Sequence, residues 1–153
     1  MKEKMTQVER LNYLIAHFKA ESDDYKALHL PDNIEEKRRI LRSMMNVRPP
    51  QALSEEVLKI QDDYLKERNQ EKGIVHLSEI PITCENLSIW QGDITRLAVD
   101  AIVNAANAQM LGCFVPMHLC IDNSIHTFSG VQLRLDCYER MEALRKKHGK
   151  AYV

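Results

Sequence analysis

The spacing of apolar residues changes at Gly73, and that change constrains the fold more than any other feature of the chain. Before Gly73, apolar residues recur every third or fourth position, the period of a helix with one buried face. After it they come in short runs bounded by Gly, Pro, Asn and Asp, the punctuation of strands and turns. The two periods belong to different elements. The sequence therefore divides into an N-terminal helical segment over 1–72 and a mixed strand-and-helix unit over 73–153.

Thr6-x-x-Glu9 has the form of a capping box, and with Val8, Leu11, Ile15 and Phe18 it predicts a helix over 6–20. Pro31-Asp32 opens a second helix, with Ile34, Leu41, Met44 and Met45 on one stripe. Arg48-Pro49-Pro50 ends it, because proline lacks an N–H and clashes with the preceding turn. Ser54, Glu55 and Glu56 suit a third helix start, where carboxylates meet the positive end of the dipole. Val57, Leu58, Tyr64 and Leu65 form its apolar side. None of these residues carries a catalytic pattern. His17 and His29 read as packed or solvated, and Lys37-Arg38-Arg39 as a solvated helix face. The segment reads as a helical cap or a partner-binding element.

In the second unit, Ile74-Val75-His76-Leu77, Leu87 to Gln91 and Val99 to Val103 predict three short strands, with Trp90 in the sheet core. From Asp122 onward, Ile125, Phe128, Val131, Leu135 and Tyr138 fit one face of a helix that Met141 and Leu144 extend. Asp122 or Ser124 would cap it. Strands followed by a crossover and a helix give an α/β unit, and α+β for the whole chain. The 21 basic and 22 acidic residues exclude polyanion binding driven by bulk charge, so no nucleic-acid partner is expected. No apolar run approaches the ~18 residues of a membrane span, and the N-terminus has no signal-peptide core. The expected location is cytoplasmic, where Cys84, Cys113, Cys120 and Cys137 would be thiols and Cys84 and Cys137 ordinary ones.

The chemistry-bearing residues gather between Val103 and Gly130. Cys113-x4-His118-x-Cys120 puts two thiols and an imidazole within eight residues, a set that zinc accepts with a fourth position left open. A reduced Cys pair with a nearby His has the same spacing. Asp122 follows closely, near a helix start, where it could orient or deprotonate a water or simply cap the helix. The amides there could hold a phosphate oxygen. Asn104 and Asn107 end the third expected strand, the ligand edge of an α/β sheet, and an amide that donates and accepts suits ribose hydroxyls. Ordinary turn asparagines would look the same. His126 reads as a packing or supporting residue.

Gly92-Asp93-Ile94-Thr95, followed by Val99-Asp100-Ala101-Ile102-Val103-Asn104-Ala105-Ala106-Asn107, resembles the start of a macrodomain, the ADP-ribose-binding α/β fold. Gly112 to His126 is similar to the zinc-containing microbial macrodomains, protein-ADP-ribose hydrolases often encoded beside a sirtuin-type transferase and a lipoyl-carrier protein. The resemblance is dense over 87–145 and implies the first half of a three-layer α/β/α fold. It implies Zn(2+) on Cys113, His118 and Cys120, and ADP-ribose held by Asp93 and Ile94 at adenine and Asn107 at ribose. Cys120 and Ile121 would also contact ADP-ribose, and Asp122 and Asn123 would attend the reacting end, with Asn107 and Asp122 catalytic. The implied activity is zinc-dependent removal of mono-ADP-ribose from a modified protein, such as a lipoyl carrier.

In a chain that stops at Val153, with Gly149 to Val153 turning toward a further strand, that activity is expected to be impaired. An unpaired sheet edge would invite self-association. Two other functions fit the same residues: an ADP-ribose-binding module that does not cleave, and a helical interaction protein with a degenerate macrodomain. Zinc-dependent release, binding without release, and absence of stoichiometric zinc distinguish the three.

Overall fold

A computed structural model describes residues 5–149. The expected turn at Gly149 to Val153 thus lies outside the described residues beyond its first position. Helices α1 (Gln7–Ala20), α3 (Ile34–Val47) and α4 (Glu55–Lys72) form where the periodicity places them. In the capping box, Glu9 N–H donates to Thr6 Oγ1 at 3.3 Å and Thr6 N–H to Glu9 Oε2 at 2.7 Å. The side chains of Asn33 and Ser54 cap α3 and α4. Helix α3 stops at Arg48, directly before the two prolines, and Gly73 at φ +81° ends α4. A one-turn helix, α2 (Asp23–Lys26), follows α1 and carries no periodic signal of its own.

The core lies among these helices. Leu11, Leu14, Ile15 and Phe18 of α1 meet Leu41, Met44 and Met45 of α3 and Val57, Tyr64 and Leu65 of α4. Val131, from the second unit, joins them.

The second unit contains a two-stranded parallel sheet, β1 (Val75–His76) and β2 (Leu97–Ala98), with Val75 opposite Leu97 and His76 opposite Ala98. The expected third strand is therefore displaced toward the N-terminus. Its register is set by three contacts that pull 93–98 against the end of α4. Lys72 Nζ reaches Asp93 Oδ2 at 2.6 Å and Thr95 Oγ1 at 2.8 Å, and Arg96 Nε donates to the Gly73 carbonyl at 2.6 Å. Residues 99–103 continue without strand pairing, and Val103 is 88% exposed.

The expected strand over Leu87–Gln91 does not form. A single bridge joins Cys84 to Leu87, Ile89 is exposed, and Trp90 is half-buried rather than in a sheet core. Strand-forming side chains make a strand only where a neighbouring backbone takes their N–H and C=O groups, and here only Leu87 is so paired, by Thr83 and Cys84. No helix among the described residues is long and apolar enough to cross a membrane.

The expected single C-terminal helix is two: α5 (Ile121–Phe128) and α6 (Gln132–His148). Gly130 at φ +84° turns the chain out of α5. The fully buried Gln61 of α4 then accepts from Val131 N–H at 3.0 Å and donates to Gln132 Oε1 at 2.7 Å, which starts α6 at a new angle. The cap of α5 is also corrected. Neither Asp122 nor Ser124 caps it; Cys120 does, its sulfur accepting from Asn123 N–H at 3.4 Å.

Candidate metal centre

The ligand loop, residues 111–120, runs into α5. Its turn at residues 115–118 is closed by His118 N–H donating to the Val115 carbonyl at 3.2 Å. Pro116 occupies the second position and Met117, at φ +59°, the third, a backbone setting that usually falls to glycine. This tight turn brings His118 back over Cys113. His118 Nδ1 lies 3.5 Å from Cys113 Sγ, and the ligand atoms of Cys113, His118 and Cys120 all fall within 4.8 Å of one another.

A tetrahedral zinc with bonds of about 2.3 Å to sulfur and about 2.0 Å to nitrogen sets its S and N ligands about 3.5 Å apart. The donor set and its spacing therefore fit a metal ion, with three protein ligands and a fourth position left over. His118 is exposed and the two cysteines are half-buried.

Behind the loop sits a buried polar cluster. Asp122, in the first turn of α5, accepts from Asn104 Nδ2 at 2.8 Å, and its Oδ1 lies 3.6 Å from His126 Nε2. Burial pushes the His126 imidazole below its ordinary range, and Arg134 adds to this, while Asp122 opposes it. Gly112 packs directly on the His126 ring. Asn107 donates to the Gly112 carbonyl at 3.2 Å and accepts from Gln109 N–H at 3.0 Å, so it braces the entrance to the ligand loop. Asn123, fully buried, donates to the carbonyls of Val115 at 3.0 Å and Cys113 at 3.4 Å. Ile121 is partly exposed at the helix start.

The sequence-derived residues thus form two groups. Cys113, His118, Cys120, Ile121, Asp122, Asn123 and Asn107 share the ligand loop and its flanks. Asp93 and Ile94 sit on a 3₁₀ turn between α4 and β2. No hydrogen bond or ion pair among the described residues joins them to the first group. Burial raises the Asp93 carboxyl, but Lys72 and Thr95 outweigh it and hold it below the usual carboxylate range. Both of its oxygens are engaged, Oδ1 by Thr95 and Oδ2 by Lys72. A carboxylate has further lone pairs, so an incoming amine would share it.

Sequence reasoning missed three residues that hold the loop. Arg42 and Asn46 reach it from α3, and Arg134 reaches it from α6. Arg134, 3% exposed, donates to the Leu111 carbonyl at 2.7 Å and to the carbonyls of Met45 and Arg48, and lies 4.2 Å over the Phe114 ring. The one available signal was Asn46 itself, a polar residue adjoining the apolar stripe of Leu41, Met44 and Met45.

No family model matches the chain. It is 51% identical over 137 residues to a protein-ADP-ribose hydrolase of Treponema medium, an alignment covering 87% of this chain and 52% of that protein. It is 44% identical over 147 residues to a protein-ADP-ribose hydrolase of Staphylococcus aureus (strain MRSA252), covering 94% of this chain and 55% of that one. A probable bifunctional ADP-ribose hydrolase/ADP-ribosyltransferase of Fusarium oxysporum f. sp. cubense is 40% identical over 119 residues, 71% of this chain and 20% of its own length. The chain spans about half the length of the protein-ADP-ribose hydrolases it matches.

Proposed function

We propose that this chain, which belongs to the same family as these protein-ADP-ribose hydrolases, carries the metal-bearing part of a zinc-dependent hydrolase that removes mono-ADP-ribose from a modified protein. The observation that carries the reading is the convergence of Cys113, His118 and Cys120 on one loop whose last ligand, Cys120, caps the helix that carries the buried Asp122.

Zinc in that group would act as a Lewis acid toward an oxygen in the open position. The remaining work falls to the protein. Asn107, beside the ligand loop, offers an amide to the ribose hydroxyls, and Asp93 with the Ile94 backbone seats the adenine. Asp122 orients the attacking water and takes its proton, with Asn104 fixing the carboxylate's rotamer. The bond broken joins the ribose anomeric carbon to the side-chain atom. Water supplies the hydroxyl to ADP-ribose and the proton to the released side chain. A mono-ADP-ribosylated lipoyl-carrier protein is one substrate of this class, and the setting is cytoplasmic.

Purified protein is expected to contain stoichiometric zinc, and the Cys113→Ser variant to lose it. A mono-ADP-ribosylated protein should release ADP-ribose with metal present and not after chelation. Ligand heat without release would establish a binding module instead. Protein without zinc would overturn the reading.

A further inference from the structure

The helical segment shows no catalytic pattern in sequence, yet one of its helices grips the metal-ligand loop at two consecutive residues. Arg42 and Asn46 are one turn apart on α3 and so share a face. Arg42 Nη2 donates to the His118 carbonyl at 3.1 Å and to Asn123 Oδ1 at 2.9 Å. Asn46 Oδ1 accepts from Met117 N–H at 3.0 Å, and Asn46 Nδ2 donates to Thr127 Oγ1 at 2.9 Å. Thr127 Oγ1 in turn donates to the Asn123 carbonyl at 2.7 Å.

These contacts fall where the loop has most need of them. Met117 is held at φ +59°, a conformation that costs a non-glycine residue of order 1 kcal/mol and persists only when its surroundings enforce it. Its amide is the one Asn46 binds. The next residue is His118, whose carbonyl is the one Arg42 binds. Asn46 is 1% exposed, so its two hydrogen bonds are made away from water and losing either leaves a buried amide unpaired.

We propose that Arg42 and Asn46 are positioning residues for the metal centre: from α3 they fix the 115–118 turn and thereby the placement of the His118 imidazole opposite Cys113 and Cys120. The helical segment is then part of the metal site and not a detachable cap. This rests on the metal reading above. Outer contacts of this kind typically govern metal affinity by 10–100-fold.

The test uses the full chain. Zinc affinity is measured by competition with a chromophoric chelator for the parent, Arg42→Ala, Asn46→Ala and Arg42→Lys. Cobalt(II) absorption is recorded for each, since its d–d bands report ligand geometry. Metal-free melting temperature serves as the control for folding. Arg42→Ala, at a half-buried position, is expected to weaken zinc binding by about 10-fold or more and to shift the cobalt bands with little change in metal-free melting. Arg42→Lys, which can reach one of the two acceptors, should recover part of the loss. Asn46→Ala should show the same metal defect together with a lower melting temperature.

A purely structural role would lower the melting temperature and leave the affinity and cobalt spectrum of the folded protein unchanged, which overturns the proposal. If the parent itself binds no zinc, the metal reading fails instead, so the two failures are separate.

Discussion

The three core helices and the stretch from Leu77 to Met110 have similar supplies of apolar side chains and put them to opposite uses. In α1, α3 and α4 the large residues face one another, and Leu14 and Ile15 are completely shielded. Between Leu77 and Met110, Ile82, Leu87, Ile89 and Val103 are each more than two-thirds exposed, while Ile80 alone of that stretch is buried. The difference is one of closure. A helix satisfies its own backbone and need only bury a stripe, whereas an extended segment needs a neighbour for its backbone before its side chains can pack. The candidate site straddles the two. Its ligand loop is clamped from the helical side by Arg42 and Asn46, while Asp93 and Asn107 sit on the loosely packed stretch.

The largest expected effect tests that contrast directly. Leu14→Ala should lower unfolding stability by about 2–5 kcal/mol, because the deleted atoms leave a cavity in a closed core. Ile89→Ala, at a residue 80% exposed, should stay within about 0.5 kcal/mol. Urea unfolding of the two variants decides it. A comparable loss at Ile89 would mean that the stretch is packed in solution and would break the comparison.

What could be read from the sequence follows the same division. Each of the three core helices announces itself within a few residues: Thr6 with Glu9, Ser54 with its acidic first turn, Pro49 after Arg48. The clustering of Cys113, His118 and Cys120, a group that could hold a metal, was equally legible, because the three are neighbours in the chain and a single turn joins them. The second strand and the extent of the third were not, since pairing depends on partners far away. Lys72, Gly73 and Arg96, not the apolar run Val99–Val103, set where β2 forms. The break between α5 and α6 was hidden for a similar reason. Gly130 permits it, but the buried Gln61, 70 positions earlier than Val131, enforces it. Arg42 lies 76 positions from His118 and Asn46 lies 71 from Met117, separations at which no local motif can speak.

A smaller effect is expected where the ligand loop meets the buried cluster. A Cβ at Gly112 would lie 2.7 Å from His126 Cγ and 2.8 Å from Cδ2, and the residue's φ of +78° strains any L side chain. Gly112→Ala should therefore cost about 1–3 kcal/mol and displace the carbonyl that Asn107 binds. Ala substituted at Gly149, which has open space around it, keeps the strain of φ +95° without the clash and should cost less. Equal losses at the two glycines would show that the ring contact contributes nothing and that backbone strain alone is being measured.

The smallest expected effect is a pH dependence confined to the site side of the molecule. His126 is 6% exposed, and burial holds its imidazole below the ordinary value. Asp122 faces it and pulls the other way, while Arg134 reinforces the shift. The folded chain therefore disfavours the protonated ring that the unfolded chain adopts below pH of about 6.5. The contribution of neutral His126 to stability is fully present above that value and is lost as pH falls toward the lowered one. Replacing it with Asn removes the titration. The melting temperature of the parent should thus fall more than that of His126→Asn between pH of about 7.5 and about 5.5, with the carboxylates common to both proteins cancelling in the difference. Parallel curves would show that the ring is already solvated enough to protonate freely. A steeper fall in the variant would mean that Asp122 outweighs burial and that the ring carries its charge in the folded state.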